Sequence, residues 1–222
     1  MAAGLVKHAQ WMRDHADIRL PGVDLRRIQA LRDPTRRDSL AAALRARRFW
    51  LANQLSVRPQ DIQLEESGDG QPRLCAPEAL SVSFSRSDPF SAMVICRKSL
   101  AVGLDVETVR PIEYAPALAM ICAPEEAAIL SEAISGTSDP SLFFRLWTLK
   151  EAILKATGRG FRADARQVRI QPEMLRTSTP LEIFHDKAGG YLAQWLELEG
   201  CVLAVALAQP RSDSRTHIGS TS

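Results

Sequence analysis

The sequence predicts an α+β fold of two pseudo-symmetric α/β halves, each with helices packed on a small, mostly antiparallel sheet. Helix-forming and strand-forming stretches come in blocks, in the order helix, strand, helix, strand, rather than alternating one by one. The chain has 222 residues, long for one small domain and short for two ordinary ones. Apolar residues make up 45% and charged residues 24%, enough to bury a core without a disulfide or metal staple. The halves are expected at 1–108 and 109–208, with 209–222, rich in Ser, Thr and Arg, as a disordered tail.

Residues 1–24 show no clear period, and 9–13 fit either a short strand or a helical turn. Helix is expected over 24–56. Asp33-Pro34 is a start signal, and Leu40, Leu44, Ala46, Phe49, Leu51 and Leu55 then recur at roughly helical spacing. The stretch 58–71 reads as a link, with a turn at Gly68-Asp69-Gly70. Strands are expected at 80–85, 91–97 and 100–107, and Arg97-Lys98-Ser99 is short enough for a hairpin. The second half opens with helices at 115–121 and 124–134. A third starts at Asp139-Pro140 and runs to about Thr157, where Gly158-Arg159-Gly160 stops it. Strands follow at 167–171, 181–185, 191–199 and 201–208.

Charge is balanced, 28 basic against 26 acidic residues, which argues against bulk nucleic-acid binding. Locally it is not. Between Arg26 and Arg48 stand Arg26, Arg27, Arg32, Arg36, Arg37, Arg45, Arg47 and Arg48, against only Asp33 and Asp38. This is a solvated helix face or a landing site for a phosphorylated ligand or acidic partner. Cys75, Cys96, Cys122 and Cys201 are widely spaced, with no C-x-x-C pair, and read as reduced thiols. Charged residues interrupt 1–18, and no apolar run reaches membrane-spanning length, so a cytoplasmic protein without a membrane partner is expected.

Two segments carry chemistry. In Gly103-Leu104-Asp105-Val106-Glu107 the two acids are two apart on a strand, so they share a face, their Cα atoms roughly 6.5 Å apart. Such a pair is either a solvated strand end or a site for a hard cation. Mg²⁺ takes one or two carboxylates plus substrate phosphates. Gly103 allows another backbone or a ligand to approach closely. The second segment runs from Leu142 to Gly158. One stripe, Leu142, Leu146, Leu149, Ile153 and Ala156, is the buried face. The neighbouring stripe of Phe144, Trp147, Glu151 and Lys155 puts a carboxylate one turn from a lysine, beside aromatic bulk. That is a surface ion pair, or a partly desolvated base.

The pair of segments resembles the 4′-phosphopantetheinyl transferase superfamily. Its signature is a G-[IVL]-D-[IVL]-E strand and a W-x-x-K-E-[AS]-x-x-K-x-x-G helix. Both are complete here, in 103–107 and in 147–158. The length favours the Sfp-type branch of monomeric, two-halved chains. Two further family segments are altered. Gly70-Gln71-Pro72 stands where the family has G-K-P, and Ser85-Arg86-Ser87 where it has S-H-S. Arginine keeps a permanent charge and binds phosphate bidentately, so that role can survive, whereas Gln71 loses a cationic contact.

The resemblance implies transfer of phosphopantetheine from coenzyme A to a serine of an apo acyl or peptidyl carrier protein. The leaving group is adenosine 3′,5′-bisphosphate. It implies Mg²⁺ on Asp105, Glu107 and Glu151, with Glu151 as the base and Lys155 on a phosphate oxygen, Lys150 assisting. It implies coenzyme A contacts from Ser85, Arg86, Gln71, Arg26 and Arg47 or Arg48, with Ser39 a weaker candidate. Two other readings remain open: a non-catalytic coenzyme A-binding homologue, and a magnesium-dependent phosphohydrolase.

Overall fold

The computed structural model describes residues 1–8, 11, 15, 17–66, 72–97, 100–158 and 164–210. The first of two antiparallel sheets contains β1 (Ala2–Lys7), β2 (Gln63–Glu66), β3 (Pro72–Ala76), β4 (Leu80–Ser87) and β5 (Phe90–Cys96). Its spatial order is β1-β5-β4-β3-β2. The second contains β6 (Val102–Thr108), β7 (Leu181–His185), β8 (Gly189–Leu198) and β9 (Cys201–Ala208), in the order β6-β9-β8-β7. The helices described in full are α1 (Gly22–Gln29), α2 (Pro34–Leu55), α3 (Ala115–Ile121), α4 (Pro124–Ser135) and α5 (Ser141–Ala156).

Helix α2 begins where the Asp33-Pro34 signal places it. The Asp33 carboxylate accepts from the Thr35 backbone N–H at 2.9 Å, one of the donors a helix start leaves unpaired. Ser56, in the left-handed region at φ 56°, ends it. The helical stretch expected over 24–56 is thus two helices, broken before Asp33.

Every residue of β5 is buried, because β5 is covered on both faces. Its even residues, Phe90, Ala92, Val94 and Cys96, meet Val102, Leu104 and Val106 of β6 and Leu203 of β9. On the other face Ile95 packs with Leu51 and Ala52 of α2. The largest core lies on the far side of the second sheet. There Leu146, Leu149 and Ile153 of α5 press on Ala193, Ala204 and Ala206. The order of layers is therefore α2, first sheet, second sheet, α5.

Four expectations are corrected. β5 and β6 are not a hairpin: β5 already pairs with β4 and β1, so β6 pairs with β9 in the other sheet. β6 thereby belongs with the second sheet, not with the first half of the chain. The strand expected at 167–171 is two 3₁₀ turns, Ala165–Gln167 and Pro172–Leu175, around one isolated bridge from Val168 to His185. β1, β2 and β3 were not anticipated; each is short, and two of them lie at sheet edges. The turn at 68–70 and the tail beyond 210 lie outside the described residues; Gln209, inside them, still donates its backbone N–H to Gly190. No described helix is long and apolar enough to cross a membrane.

One glycine fixes how β6 meets α5. A Cβ at Gly103 would stand 1.9 Å from the Ala152 carbonyl oxygen and 2.5 Å from the Ala156 nitrogen, both helix backbone. No side chain fits between them. Gly103→Ala must push strand and helix apart, and is expected to cost about 3 kcal/mol of stability. A denaturant midpoint equal to that of the parent chain would refute this packing.

Candidate functional site

The period of two along β6 turns Gly103, Asp105 and Glu107 to one face. Gly103 lies against α5, which brings the next turn of that helix to Asp105. Lys155 Nζ donates to Asp105 Oδ1 at 2.8 Å, to the Leu104 carbonyl at 3.0 Å and to Ser85 Oγ at 3.1 Å. Ser85 in turn donates to the same Oδ1 at 2.7 Å. Asp105 is 5% exposed, yet its other oxygen, Oδ2, has no hydrogen-bond partner among the described residues. Glu107 accepts from Ser87 Oγ at 3.0 Å and from Arg110 at 3.3 Å. Glu151, half-buried on α5, has its pKa raised above the ordinary carboxyl value. Desolvation is the main cause, the negative charges of Asp105 and Glu107 add to it, and Lys155 offsets part.

β4 supplies the wall of this site. Its odd residues face β6. Ser83 Oγ accepts from the Leu104 N–H at 3.1 Å, and Ser87 Oγ accepts from the Thr108 N–H at 3.0 Å. β6 is an edge strand, so these donors have no ladder partner on that side, and serines of the other sheet satisfy them. The even residues of β4 face α2 instead. Phe84 and Arg86 line a cleft of about 150 Å³ with Leu40, Leu44 and Arg47 of α2 and Arg27 of α1. Arg47 lies over the Phe84 ring, 4.7 Å from its centroid, and pairs with Asp24 at 3.6 Å. Three arginines in one small cleft favour an anionic ligand.

Ser85-Arg86-Ser87 thus serves two places at once. Ser85 and Ser87 reach the acids, and Arg86, pointing the other way, reaches the cationic cleft. Asp105, Glu107, Glu151, Lys155, Ser85, Arg86 and Arg47 are all brought to this region. Three anticipated residues are not. Lys150 is 1% exposed on another side of α5, paired with Glu126 at 3.0 Å and donating to the Ala165 carbonyl at 3.1 Å. Its position on the helix, next to Glu151 in sequence, turns it about 100° away, so it holds the core of the second half rather than a ligand. Arg48 is 4% exposed, bound to Asp24 at 3.1 Å and to the Ile62 carbonyl at 2.9 Å. Arg26 is exposed and does not line the cleft; Arg27, one residue on, does. Gln71 lies outside the described residues. Ser83 and Ser87 were missed, although serines at 81, 83, 85 and 87 on a strand already signal one polar face.

A hard divalent cation suits the donors present: a buried carboxylate oxygen without a partner, beside two further acids of which one is desolvated. Among the described residues, though, no three such side chains form a ready-made metal cage. Lys155 draws Asp105 Oδ1, and Ser87 with Arg110 draws Glu107.

Comparison with known proteins bears on this arrangement directly. The family model of the 4′-phosphopantetheinyl transferase superfamily matches residues 101–206, which contain β6 and α5. Over these residues the chain is similar to that superfamily. It is 28% identical over 197 residues to the 4′-phosphopantetheinyl transferase HetI of Nostoc sp., covering 83% of this chain and 77% of that one. With the 4′-phosphopantetheinyl transferase Sfp of Bacillus subtilis it shares 23% over 165 residues, 73% of this chain and 70% of Sfp. The Synechocystis sp. protein slr0495 is 34% identical over 126 residues, 55% of this chain. The match spans only 50% of that relative's own length. The α+β architecture of two antiparallel sheets agrees with membership of the superfamily.

The raised pKa of Glu151 has a consequence for stability. Above the ordinary carboxyl range and up to its folded value, the folded chain holds more protons than the unfolded one. Stability therefore falls as pH rises through that window. In metal-free buffer at neutral pH, Glu151→Gln is expected to melt above the parent chain, and the difference to close in acid, below the unfolded carboxyl pKa. Thermal melts over that pH range check it, and a variant that melts lower at neutral pH would contradict it.

Proposed function

We propose that this chain transfers the 4′-phosphopantetheine group of coenzyme A to a serine of an apo acyl or peptidyl carrier protein, releasing adenosine 3′,5′-bisphosphate. One observation carries the reading: the end of β4 joins a three-arginine cleft on one face to a desolvated carboxylate site on the other. A long ligand with phosphates at both its nucleoside and its diphosphate end suits such a pair of sites. The cleft would receive the phosphorylated nucleoside, with Arg27, Arg47 and Arg86 countering its charge. The diphosphate would then lie toward Ser85 and Lys155.

Asp105, Glu107 and Glu151 would hold Mg²⁺, which when bound neutralises diphosphate charge as the leaving group departs. Asp105 is the best placed of the three, since its Oδ2 is buried and open. Lys155 would exchange Asp105 for a phosphate oxygen, its ammonium remaining paired with an anion throughout. Glu151, whose raised pKa makes it a stronger base than an exposed carboxylate, would take the proton from the carrier serine, directly or through water. Positioning and charge supply most of the rate in a transfer of this kind. The three acids come from β6 and α5 of one chain, which supports a monomeric enzyme.

The test is to incubate the chain with coenzyme A, Mg²⁺ and a panel of apo carrier proteins and to weigh the carriers. A mass gain of one phosphopantetheine group supports transfer. Coenzyme A bound with no carrier modified supports a non-catalytic homologue, and phosphate released without a carrier supports a phosphohydrolase. Glu151→Gln should lower turnover by about 10²–10⁴ with little change in coenzyme A affinity. Undiminished turnover would remove Glu151 from the mechanism.

A further inference from the structure

His8 follows β1 and is held by its backbone N–H on the Pro89 carbonyl at 2.9 Å. Its ring is buried beside the cationic cleft, 7% exposed. Nε2 stands 2.7 Å from Ser91 Oγ, and Ser91 lines the cleft. Nδ1 stands 3.5 Å from Ser39 Oγ and 3.7 Å from Asp88 Oδ1. Ser39 gives its single proton to Asp88, while Arg86 NH1 donates to Ser39 Oγ at 3.2 Å. The charged groups facing the ring are Asp88, from the turn after β4, and Arg86, from β4 itself. α2 presents Ser39 and β5 presents Ser91. Lys7 of β1 turns away, to the Phe90 ring.

This arrangement conflicts with binding an anion. Asp88 repels a phosphate placed at Arg86 and also holds the Ser39 proton that a phosphate oxygen could accept. A proton on His8 Nδ1 removes both difficulties. It pairs with Asp88, which frees the Ser39 hydroxyl to turn to the ligand, and it adds a positive charge behind Arg86. Taking the neutral tautomer with its proton on Nε2, toward Ser91, the ring need not move when Nδ1 gains one.

We propose that His8 is a positioning residue of the cleft's anion subsite, taking one proton from solvent when a phosphate group binds beside Arg86 and Ser39. This rests on the reading that the cleft receives a phosphate of coenzyme A. Burial already holds the ring's pKa below the ordinary imidazole value, Asp88 raising it and Arg86 lowering it further. The ring is therefore neutral at physiological pH until an anion arrives.

Nuclear magnetic resonance of the full chain tests this directly. The sequence has 4 histidines, and His8→Gln identifies the His8 ring signal by its loss. Without ligand, that signal should titrate below the ordinary imidazole midpoint. With saturating adenosine 3′,5′-bisphosphate, the midpoint should rise by about one pH unit or more, and by linkage the neutral variant should bind about tenfold more weakly at pH below the free midpoint, the difference closing above the bound one. An unmoved His8 midpoint, while other signals report binding, overturns the inference and leaves the functional reading standing. No response of any signal to either adenosine 3′,5′-bisphosphate or coenzyme A overturns both. The titration is read on the parent chain, so it holds even where the variant folds poorly.

Discussion

The contact of Gly103 with the backbone of α5 is the constraint on which the site depends. Asp105 is two residues from Gly103, and Glu151 and Lys155 lie within one turn of Ala152. The approach that places a helix carbonyl 1.9 Å from an absent Cβ also sets the distance from Asp105 to Lys155. A bulkier residue would retract α5 from β6, and a retraction of even a few tenths of an ångström along that seam acts on every polar contact beyond it. The glycine in the strand motif and the small residues of the helix motif, Ala152 and Ala156, are thus two sides of one packing requirement. The acids and the lysine are what that packing delivers.

The second requirement is that two sheets meet at an edge. β6 has a ladder partner only in β9, and its other side faces β4 of the first sheet. Backbone donors buried there must find acceptors, or each costs about 1–3 kcal/mol. Ser83 and Ser87 meet that need, and Ser85 between them donates to Asp105 across the same seam. Strand alternation does the rest. Phe84 and Arg86 necessarily point to the opposite face, where α1 and α2 bring their arginines. A single strand thereby separates a cationic cleft from an anionic site, with the thickness of one backbone between them.

Much of this was legible in the sequence. The same-face dyad on β6 and the i,i+4 pair on α5 follow from the two periods, and the helix boundaries at Asp33 and at residues 115, 124 and 141 follow from proline and capping signals. What escaped was set by long-range pairing. A loop of three residues after β5 fits a hairpin as well as a change of sheet, and only the occupied edges of β5 exclude the hairpin. The direction of an arginine on a helix is equally hidden. Arg47 and Arg48 are neighbours in a run of like charge, yet one lines the cleft and the other is spent on Asp24 and Ile62. Asp24, an acid within an otherwise basic stretch, was the available sign that some of those arginines are structural.

Lys155 explains why the acids tolerate one another before any ligand is present. Asp105 is buried, and an uncompensated charge there would cost several kcal/mol. Lys155 compensates it through Oδ1 and leaves Oδ2 without a hydrogen-bond partner among the described residues. Glu151 gains only a partial offset from the same lysine and answers by an increased proton affinity. The two acids therefore divide the work by environment alone. Under the proposed function, the one paired with lysine would serve a cation, and the one desolvated on the helix would serve as the base. A lysine that is 30% exposed in its side chain can make this exchange, because its ammonium reaches solvent and ligand as well as Asp105. Lys150, five residues earlier and 1% exposed, could not, because it is buried against Glu126.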